Sequence, residues 1–253
     1  MFNLIKYELR ATFLTIVGIC TTVIIANLLL MTKKGSWDSN TVIGLSGCLI
    51  IGAIIVIFIS SLKIMSKYLH DDSGYLLFTL PQSGKSILTS RLITSLIQIS
   101  IVVVVSFLMS YLTITDEVSI SGFLKNIKFN LAIYYLISYI WMIVSSLTII
   151  YFCMIMGKVA LKGKKIGKVG TFIIFIILSM LISWLSFKLI TLLPQTLNLS
   201  DFSINTNYNA LDTALSTSSG AFNINIAQTL FNIIIFVGLF LSSSFLIDRK
   251  LDL

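Results

Sequence analysis

Long apolar stretches separated by short polar segments dominate the pattern of this chain. Six of them are long enough to cross a hydrocarbon core of roughly 30 Å, which takes about 20 helical residues. Helices are expected because lipid offers the backbone no hydrogen-bond partners, and the roughly ten-residue alternation of a barrel strand is missing. The six predicted spans cover residues 12–31, 41–62, 86–112, 130–156, 170–193 and 225–247.

Composition agrees with this pattern. Hydrophobic residues make up 57% of the chain, charged residues only 11%, and the mean hydropathy is +0.99. A soluble core could not bury so large an apolar fraction. The sequence therefore predicts an all-α integral membrane protein, with residues 1–253 forming a single transmembrane domain.

The basic residues predict the orientation, because loops on the cytoplasmic side carry an excess of Lys and Arg. Thirteen fall on one side and four on the other, so both termini are expected in the cytoplasm and residues 194–224 outside. The net charge of +8 is then a topology signal and not a sign of nucleic-acid binding. The inner set is Lys6, Arg10, Lys63, Lys67, Lys85, Arg91, Lys158, Lys162, Lys164, Lys165, Lys168, Arg249 and Lys250, against Lys33, Lys34, Lys125 and Lys128 outside.

The first apolar run is too long for a secretory signal and lacks a small-residue cleavage site, so an uncleaved helix is expected. Ahead of it, Phe2, Ile5 and Leu9 have helical spacing, with Lys6 and Arg10 elsewhere. This pattern predicts a short interfacial helix on the inner membrane surface. A plain basic flank is the alternative.

Candidate catalytic and metal-binding groups are scarce. Arg91 is counted with the cytoplasmic flank, and the span interiors are expected to hold no Asp, Glu, His or Arg, which disfavours an intramembrane enzyme or a proton pump. His70, Asp71 and Asp72 make a poor metal site because adjacent side chains on a helix diverge. We therefore predict no catalytic residue and no metal. Cys20, Cys48 and Cys153 are interpreted as small packing residues within spans.

Residues 83–86 read Ser-Gly-Lys-Ser, the end of a phosphate-binding loop. The full motif needs a Gly five places before Gly84, where Thr79 stands, and a preceding strand. The longest segments outside the spans are about thirty residues, too short for a nucleotide-binding domain. We therefore expect this chain to bind no cofactor.

Neutral polar side chains are scattered through the spans. They suit either hydrogen bonds between helices or a path for an amphipathic substrate. Gly44, Cys48 and Gly52 form a face of small residues, expected to pack within the chain or against a second copy. The candidate path residues are Asn27, Ser179, Ser183, Ser186, Gln228 and Asn232.

The segment between the second and third spans, HDDSGYLLFTLPQS, is too apolar to stay in water without a partner. The second helix is expected to continue through Lys63, Lys67 and Asp71, and Lys67 and Asp71 could pair at i, i+4. Asp72 or Ser73 can then cap a short new helix, which Pro81 stops. Ser83 is expected to cap the third span.

This segment resembles the cytoplasmic loop of type-2 ATP-binding-cassette exporter permeases, in which an acidic residue, a Gly and an aromatic open a short apolar helix that ends at Pro. Ser73 departs from the family pattern, in which the acidic residue often lies closer to the Gly. The matching positions are Asp72, Gly74, Tyr75, Leu76, Leu77, Phe78, Pro81 and Ser83.

The resemblance implies a non-enzymatic permease of a bacterial cytoplasmic membrane, whose short helix couples to an ATPase subunit. Two ATPase copies, carrying ATP and Mg, would act with two permeases, either identical or related. A hydrophobic or amphipathic peptide, antibiotic or lipid-like molecule would pass between them. Two alternatives remain: an interfacial re-entrant helix without a partner, and a non-transporting immunity or assembly protein.

The outer segment 194–224 is rich in Asn, Ser and Thr and contains no Lys or Arg. It contains too few apolar residues to form a domain with a core of its own. We expect a flexible connector, with a lid over an exit path as the alternative.

Overall fold

The computed structural model describes residues 2–33, 37–70, 83–114, 129–161, 167–193, 195–198, 204–205 and 223–250. Within these residues, six helices are long and apolar enough to cross a membrane. The prediction of a multi-pass, mainly helical membrane protein is thereby confirmed. The helices are α1 (Phe2–Lys33), α2 (Ser39–His70), α3 (Gly84–Ile114), α4 (Phe129–Leu161), α5 (Gly167–Leu192) and α6 (Ile226–Lys250).

Most of the helices extend beyond the predicted apolar runs. Helix α1 runs without a break from Phe2, so the prediction of a separate interfacial helix before the first span is wrong. Helix α2 continues past Lys63 and Lys67 to His70, as predicted. At the start of α3 the carbonyl of Ser83 accepts the N–H of Ile87 at 3.2 Å, which places Ser83 at the cap position.

The chain divides into two compact units: Met1–Tyr151 with Asp252–Leu253, and Phe152–Leu251. Helix α4 contributes residues to both. In the first unit α3 packs against both α1 and α2, which also contact each other. Fully buried Ile57, Leu88 and Val102 belong to the core of this unit.

Polar contacts show that α1 and α3 run in the same direction. Glu8 lies beside Arg91 near the start of both helices, and Asn27 lies beside Thr113 near their ends. The first and third spans of a chain that crosses a membrane back and forth must be parallel. The packing of the first unit therefore matches the order of the predicted spans.

In the second unit, α5 and α6 contact each other and three short strands lie between them in the chain. The strands are β1 (Thr196–Asn198), β2 (Ile204–Asn205) and β3 (Asn223–Asn225), antiparallel in the order β2-β1-β3. For these described residues the predicted flexible connector is wrong. They form a sheet in which the distant ends of residues 194–224 pair.

Asn225 joins this sheet to both helices. Its side-chain Oδ1 accepts the backbone N–H of Gln228 at 2.9 Å and so caps the start of α6. Its Nδ2 donates to the carbonyl of Leu193, just beyond the end of α5, at 3.0 Å. One buried side chain thus fixes the end of α5, the edge of β3 and the beginning of α6.

The helices expose their apolar side chains, as expected where the surroundings are lipid. Phe172 and Trp184 on α5 are both more than half exposed, at 62% and 58%. The ammonium of Lys188 lies 5.9 Å from the centroid of the Trp184 ring, the geometry of a weak cation–π contact. An aromatic ring beside a lysine near the end of a span is typical of a membrane–water interface.

The three cysteines are free. Cys153 is buried, in agreement with a packing role, whereas Cys48 is exposed. On the same face, side chains added at Gly44 and Gly52 would meet nothing within 4 Å. The described residues therefore do not support close packing of this face within the chain.

Gly157 on α4 is required by a close approach of α5. A Cβ at this position would overlap the Thr171 hydroxyl and lie 3.2 Å from its Cβ and 3.3 Å from its Cα. Backbone and Cβ atoms cannot move aside as the end of a long side chain can. Only glycine lets the two helices come this close.

We expect Gly157→Ala to destabilise the protein by about 1–3 kcal/mol, because the added methyl forces the two helices apart. Gly238→Ala on α6 is the matched control, since its methyl would meet no atom within 4 Å. Unfolding in mixed micelles, titrated with a denaturing detergent, measures both. Equal stability of the two variants would contradict the close approach.

Candidate functional site

One face of α3 carries polar side chains that are almost completely buried. Arg91, Thr94, Ser95 and Gln98 lie at i, i+3, i+4 and i+7, and none is more than 7% exposed. We call this face, continued by Ser106, Ser110 and Thr113, the polar seam. The other side of α3 exposes apolar residues such as Val104 and Phe107. A helix in lipid favours this arrangement, because polar groups find partners only inside the bundle.

An ion pair between α1 and α3 occupies the end of the polar seam nearest the N-termini of both helices. Arg91 Nη1 lies 2.9 Å from Glu8 Oε1, and the two side chains are 8% and 10% exposed. The Thr94 hydroxyl, one turn along α3, donates to the carbonyl of Ser90 in its own helix at 2.8 Å. Charges buried to this extent are tolerated only when they are paired and hydrogen-bonded. The pair therefore sets how α1 lies against α3.

A second connection between the same helices lies one turn further along. Gln98 donates from Nε2 to the Thr12 hydroxyl at 2.6 Å, and Thr12 donates to the carbonyl of Glu8 at 2.8 Å. Thr12 thus relays a hydrogen bond from α3 to the backbone of α1. Gln98 Oε1 has no hydrogen-bond partner among the described residues.

Tyr151 connects the polar seam to two further helices. Its hydroxyl lies 2.7 Å from the Ser95 hydroxyl on α3 and 3.4 Å from the backbone carbonyl of Ser61 on α2. Tyr151 itself is on α4 and is fully buried. Side chains of α3 therefore bond to α1 directly and to α4 through one phenol.

The chemistry of the polar seam suits mechanical connection. Within the part of the chain that the structure describes, no group of His, Cys, Asp and Glu could hold a metal ion. The acid beside its N-terminal end, Glu8 on α1, is paired with an arginine, which keeps its proton at all ordinary pH values. Such a pair resists separation and can carry a displacement from one helix to the next.

Asn27, predicted on a substrate path, lies on α1 beside the far end of the polar seam. It is fully buried, its Nδ2 donates to the carbonyl of Val23 at 3.0 Å, and its Oδ1 lies 3.5 Å from the Thr113 hydroxyl. Hydrogen bonding between helices was the alternative interpretation of such residues. For Asn27 that alternative describes the observed contacts.

The other path candidates lie in the second unit. Ser179, Ser183 and Ser186 are on α5, while Gln228 and Asn232 are on the contacting helix α6. Ser179 donates to the carbonyl of Ile176 in its own helix at 2.9 Å. The substrate path through these residues stays a prediction.

The predicted ATPase-coupling residues lie outside the described part of the chain, as does the predicted pairing partner of Lys67, Asp71. In the sequence they lie between the end of α2 at His70 and the start of α3 at Gly84. The coupling set concerned is Asp72, Gly74, Tyr75, Leu76, Leu77, Phe78 and Pro81.

Sequence reasoning missed Glu8, Arg91 and Tyr151. The structure buries an acid and an arginine near the starts of the apolar helical segments Leu4–Lys33 and Gly84–Thr113. Arg91 was counted as a cytoplasmic flank. The helical spacing of the polar residues at 91, 94, 95 and 98 was the available signal for a buried polar face.

No family model matches this chain, and neither a curated protein nor a solved structure shows significant similarity to it. The fold and the polar seam define it as a multi-pass membrane protein whose first three helices are joined around a buried ion pair.

Removing one partner of the ion pair should destabilise the protein strongly. We expect Glu8→Leu to cost about 3–5 kcal/mol, because it leaves the Arg91 charge buried without its counter-ion. Glu8→Leu combined with Arg91→Met should recover most of this loss. Detergent-titrated unfolding of both variants and of Lys6→Leu, an exposed neighbour, measures the difference. A double variant no more stable than Glu8→Leu would contradict the pairing.

Tyr151→Phe should cost about 1–2 kcal/mol, because the Ser95 hydroxyl would stay buried without its partner. Tyr7→Phe is the matched control, since Tyr7 is 71% exposed. The same unfolding titration compares the two. If Tyr151→Phe behaves like Tyr7→Phe, Tyr151 contributes only the packing of its ring.

Proposed function

We propose that this chain is the membrane-spanning permease subunit of an ATP-driven exporter and that a separate subunit hydrolyses ATP. One observation carries the proposal beyond the resemblance. The apolar segment that resembles a coupling helix joins the end of α2 at His70 to the start of α3 at Gly84, and these two helices pack against each other. A protein bound to this segment would push on the central helix of the first unit.

The polar seam provides the next step of this mechanism. Arg91 lies seven residues after Gly84, which is about 10 Å along a helix. A displacement of α3 would reach α1 through the Glu8–Arg91 ion pair and α4 through Ser95 and Tyr151. Energy from a cytoplasmic ATPase could thus rearrange several spans without any nucleotide bound to this chain.

The proposed cargo is a hydrophobic or amphipathic peptide, antibiotic or lipid-like molecule. The candidate path residues on α5 and α6 carry hydroxyl and amide groups without fixed charge, which suits weak polar contacts with such a molecule. A second permease, identical or related, would complete the path. The exposed face of Gly44, Cys48 and Gly52 offers it a close approach.

The proposed complex contains two permeases and two ATPase subunits in the cytoplasmic membrane of a bacterium. ATP and Mg would belong to the ATPases. The second candidate function is a non-transporting immunity or assembly protein that works by binding. The burial of the polar seam and its ion pair favours this second function, because such contacts hold the helices of a bundle in one fixed arrangement.

Purification from native membranes in mild detergent tests the proposal. We expect an ATPase subunit to co-purify with the wild-type chain, and Tyr75→Ala with Phe78→Ala to release it, because these aromatics would anchor the short helix in the ATPase. Tyr7→Ala with Phe13→Ala is the matched control: it removes the same two residue types at exposed positions, 71% and 63%, on α1.

Release by both double variants would indicate a general loss of membrane assembly. Absence of any ATPase, under conditions that preserve other membrane complexes, would favour the non-transporting protein. Retention of the ATPase by the Tyr75 and Phe78 variant would reject the coupling role of this segment.

A further inference from the structure

A groove of about 330 Å³ lies between α1 and α2 in the first unit. This volume falls within the roughly 300–1,000 Å³ typical of ligand pockets. Its lining changes character from one end to the other. Lys67, Lys63 and Thr12 lie at the cytoplasmic end predicted from the basic residues, and Ile19 and Val56 lie at the other.

The length of the groove matches one leaflet of a bilayer. Val56 and Lys67 are eleven residues apart on α2, about 16 Å along the helix. Half of the hydrocarbon core is roughly 15 Å. A molecule that fills the groove would therefore place a polar head beside the lysines and an apolar tail beside Ile59 and Val56.

The positive charge at the polar end of the groove favours a polar head that is negatively charged. Lys63 and Lys67 are exposed side chains one turn apart on the same helix, so their like charges repel each other. Among the described lining residues there is no carboxylate to balance them. The nearby acid of α1, Glu8, is engaged by Arg91.

We propose that this groove binds an anionic phospholipid of the cytoplasmic leaflet. The phosphate would lie between Lys63 and Lys67, with the hydroxyls of Thr15 and Ser60 as further donors, and one acyl chain would follow the apolar end. Basic pockets between membrane helices on the cytoplasmic side are a known setting for anionic headgroups. This inference concerns a resident lipid and stands whether or not the chain is a permease.

Thr12 gives such a lipid a connection to the polar seam. Its side chain lines the groove and also accepts the hydrogen bond from Gln98 on α3. A headgroup in the groove would thus contact a residue that already joins α1 to α3. Bound lipid is therefore expected to stabilise the first unit.

The test uses the full-length protein in mild detergent and native mass spectrometry with phosphatidylglycerol or phosphatidylcholine of identical acyl chains. We expect the wild type to retain phosphatidylglycerol preferentially. Lys63→Gln with Lys67→Gln should weaken this binding roughly 25-fold, because each basic side chain near an anionic lipid contributes a factor of about five. Lys63→Arg with Lys67→Arg, which keeps the charges, should retain it.

Two controls separate the groove from general electrostatics. Lys6→Gln with Lys85→Gln removes the same charge from exposed positions outside the groove and should leave binding within about twofold of the wild type. Ile59→Trp should weaken binding by filling the apolar end, whereas Ile55→Trp, exposed on the same helix but outside the groove, should not.

Three results would overturn the proposal. If both double Lys→Gln variants lose the same amount of phosphatidylglycerol binding, the lipid is attracted to the basic surface in general and not to the groove. Unchanged binding in Ile59→Trp would place the lipid elsewhere. Competition by inorganic phosphate as effective as that by phosphatidylglycerol would identify a free anion as the ligand.

Discussion

The first unit depends on one constraint: a charge buried among membrane helices must have its counter-charge beside it. Arg91 stands on the central helix α3, and Glu8 on α1 lies 2.9 Å away. Alone, either charge would be very costly within a bundle surrounded by lipid. The pair holds the N-terminal ends of α1 and α3 level, and together with the contact between Asn27 and Thr113 it makes the two helices parallel.

Several other features follow from this pairing. Helix α1 has to be regular as far as Glu8, so the residues before the apolar run join the first span and do not lie flat as a separate helix. Once the two helices are aligned, Thr12 comes within reach of Gln98 and Asn27 within reach of Thr113. The polar seam is thus a set of contacts that share one register.

In the second unit the groups that need partners are uncharged. Residues near the ends of α5 and α6 leave backbone groups without helical partners, and Asn225 and the small sheet satisfy some of them. Elsewhere α5 exposes its apolar side chains, and none of the described side chains in its apolar span is buried. Its stability in lipid therefore depends on hydrogen bonds at its ends and on the close approach at Gly157.

The number of spans and the class of protein could be predicted from the apolar pattern alone, because runs of about 20 consecutive apolar residues are typical of membrane-spanning helices. The sequence also indicated that α2 continues past Lys67, and the tertiary structure agrees. It could not show which helix faces carry contacts, since apolar residues surround every span and the hydrophobic period carries little information in lipid.

The partners of Arg91 and Tyr151 could not be predicted, because they lie on helices far away in the chain and are brought close only by the packing of the bundle. We interpreted Arg91 as one more basic residue flanking a span, because the sequence alone cannot reveal that Glu8 lies beside it. The roles of Asn27 and Asn225 likewise could not be inferred from their amide side chains alone. Their hydrogen-bond partners became known only from the structure. Polarity is visible in a sequence, whereas its role depends on the group that satisfies it.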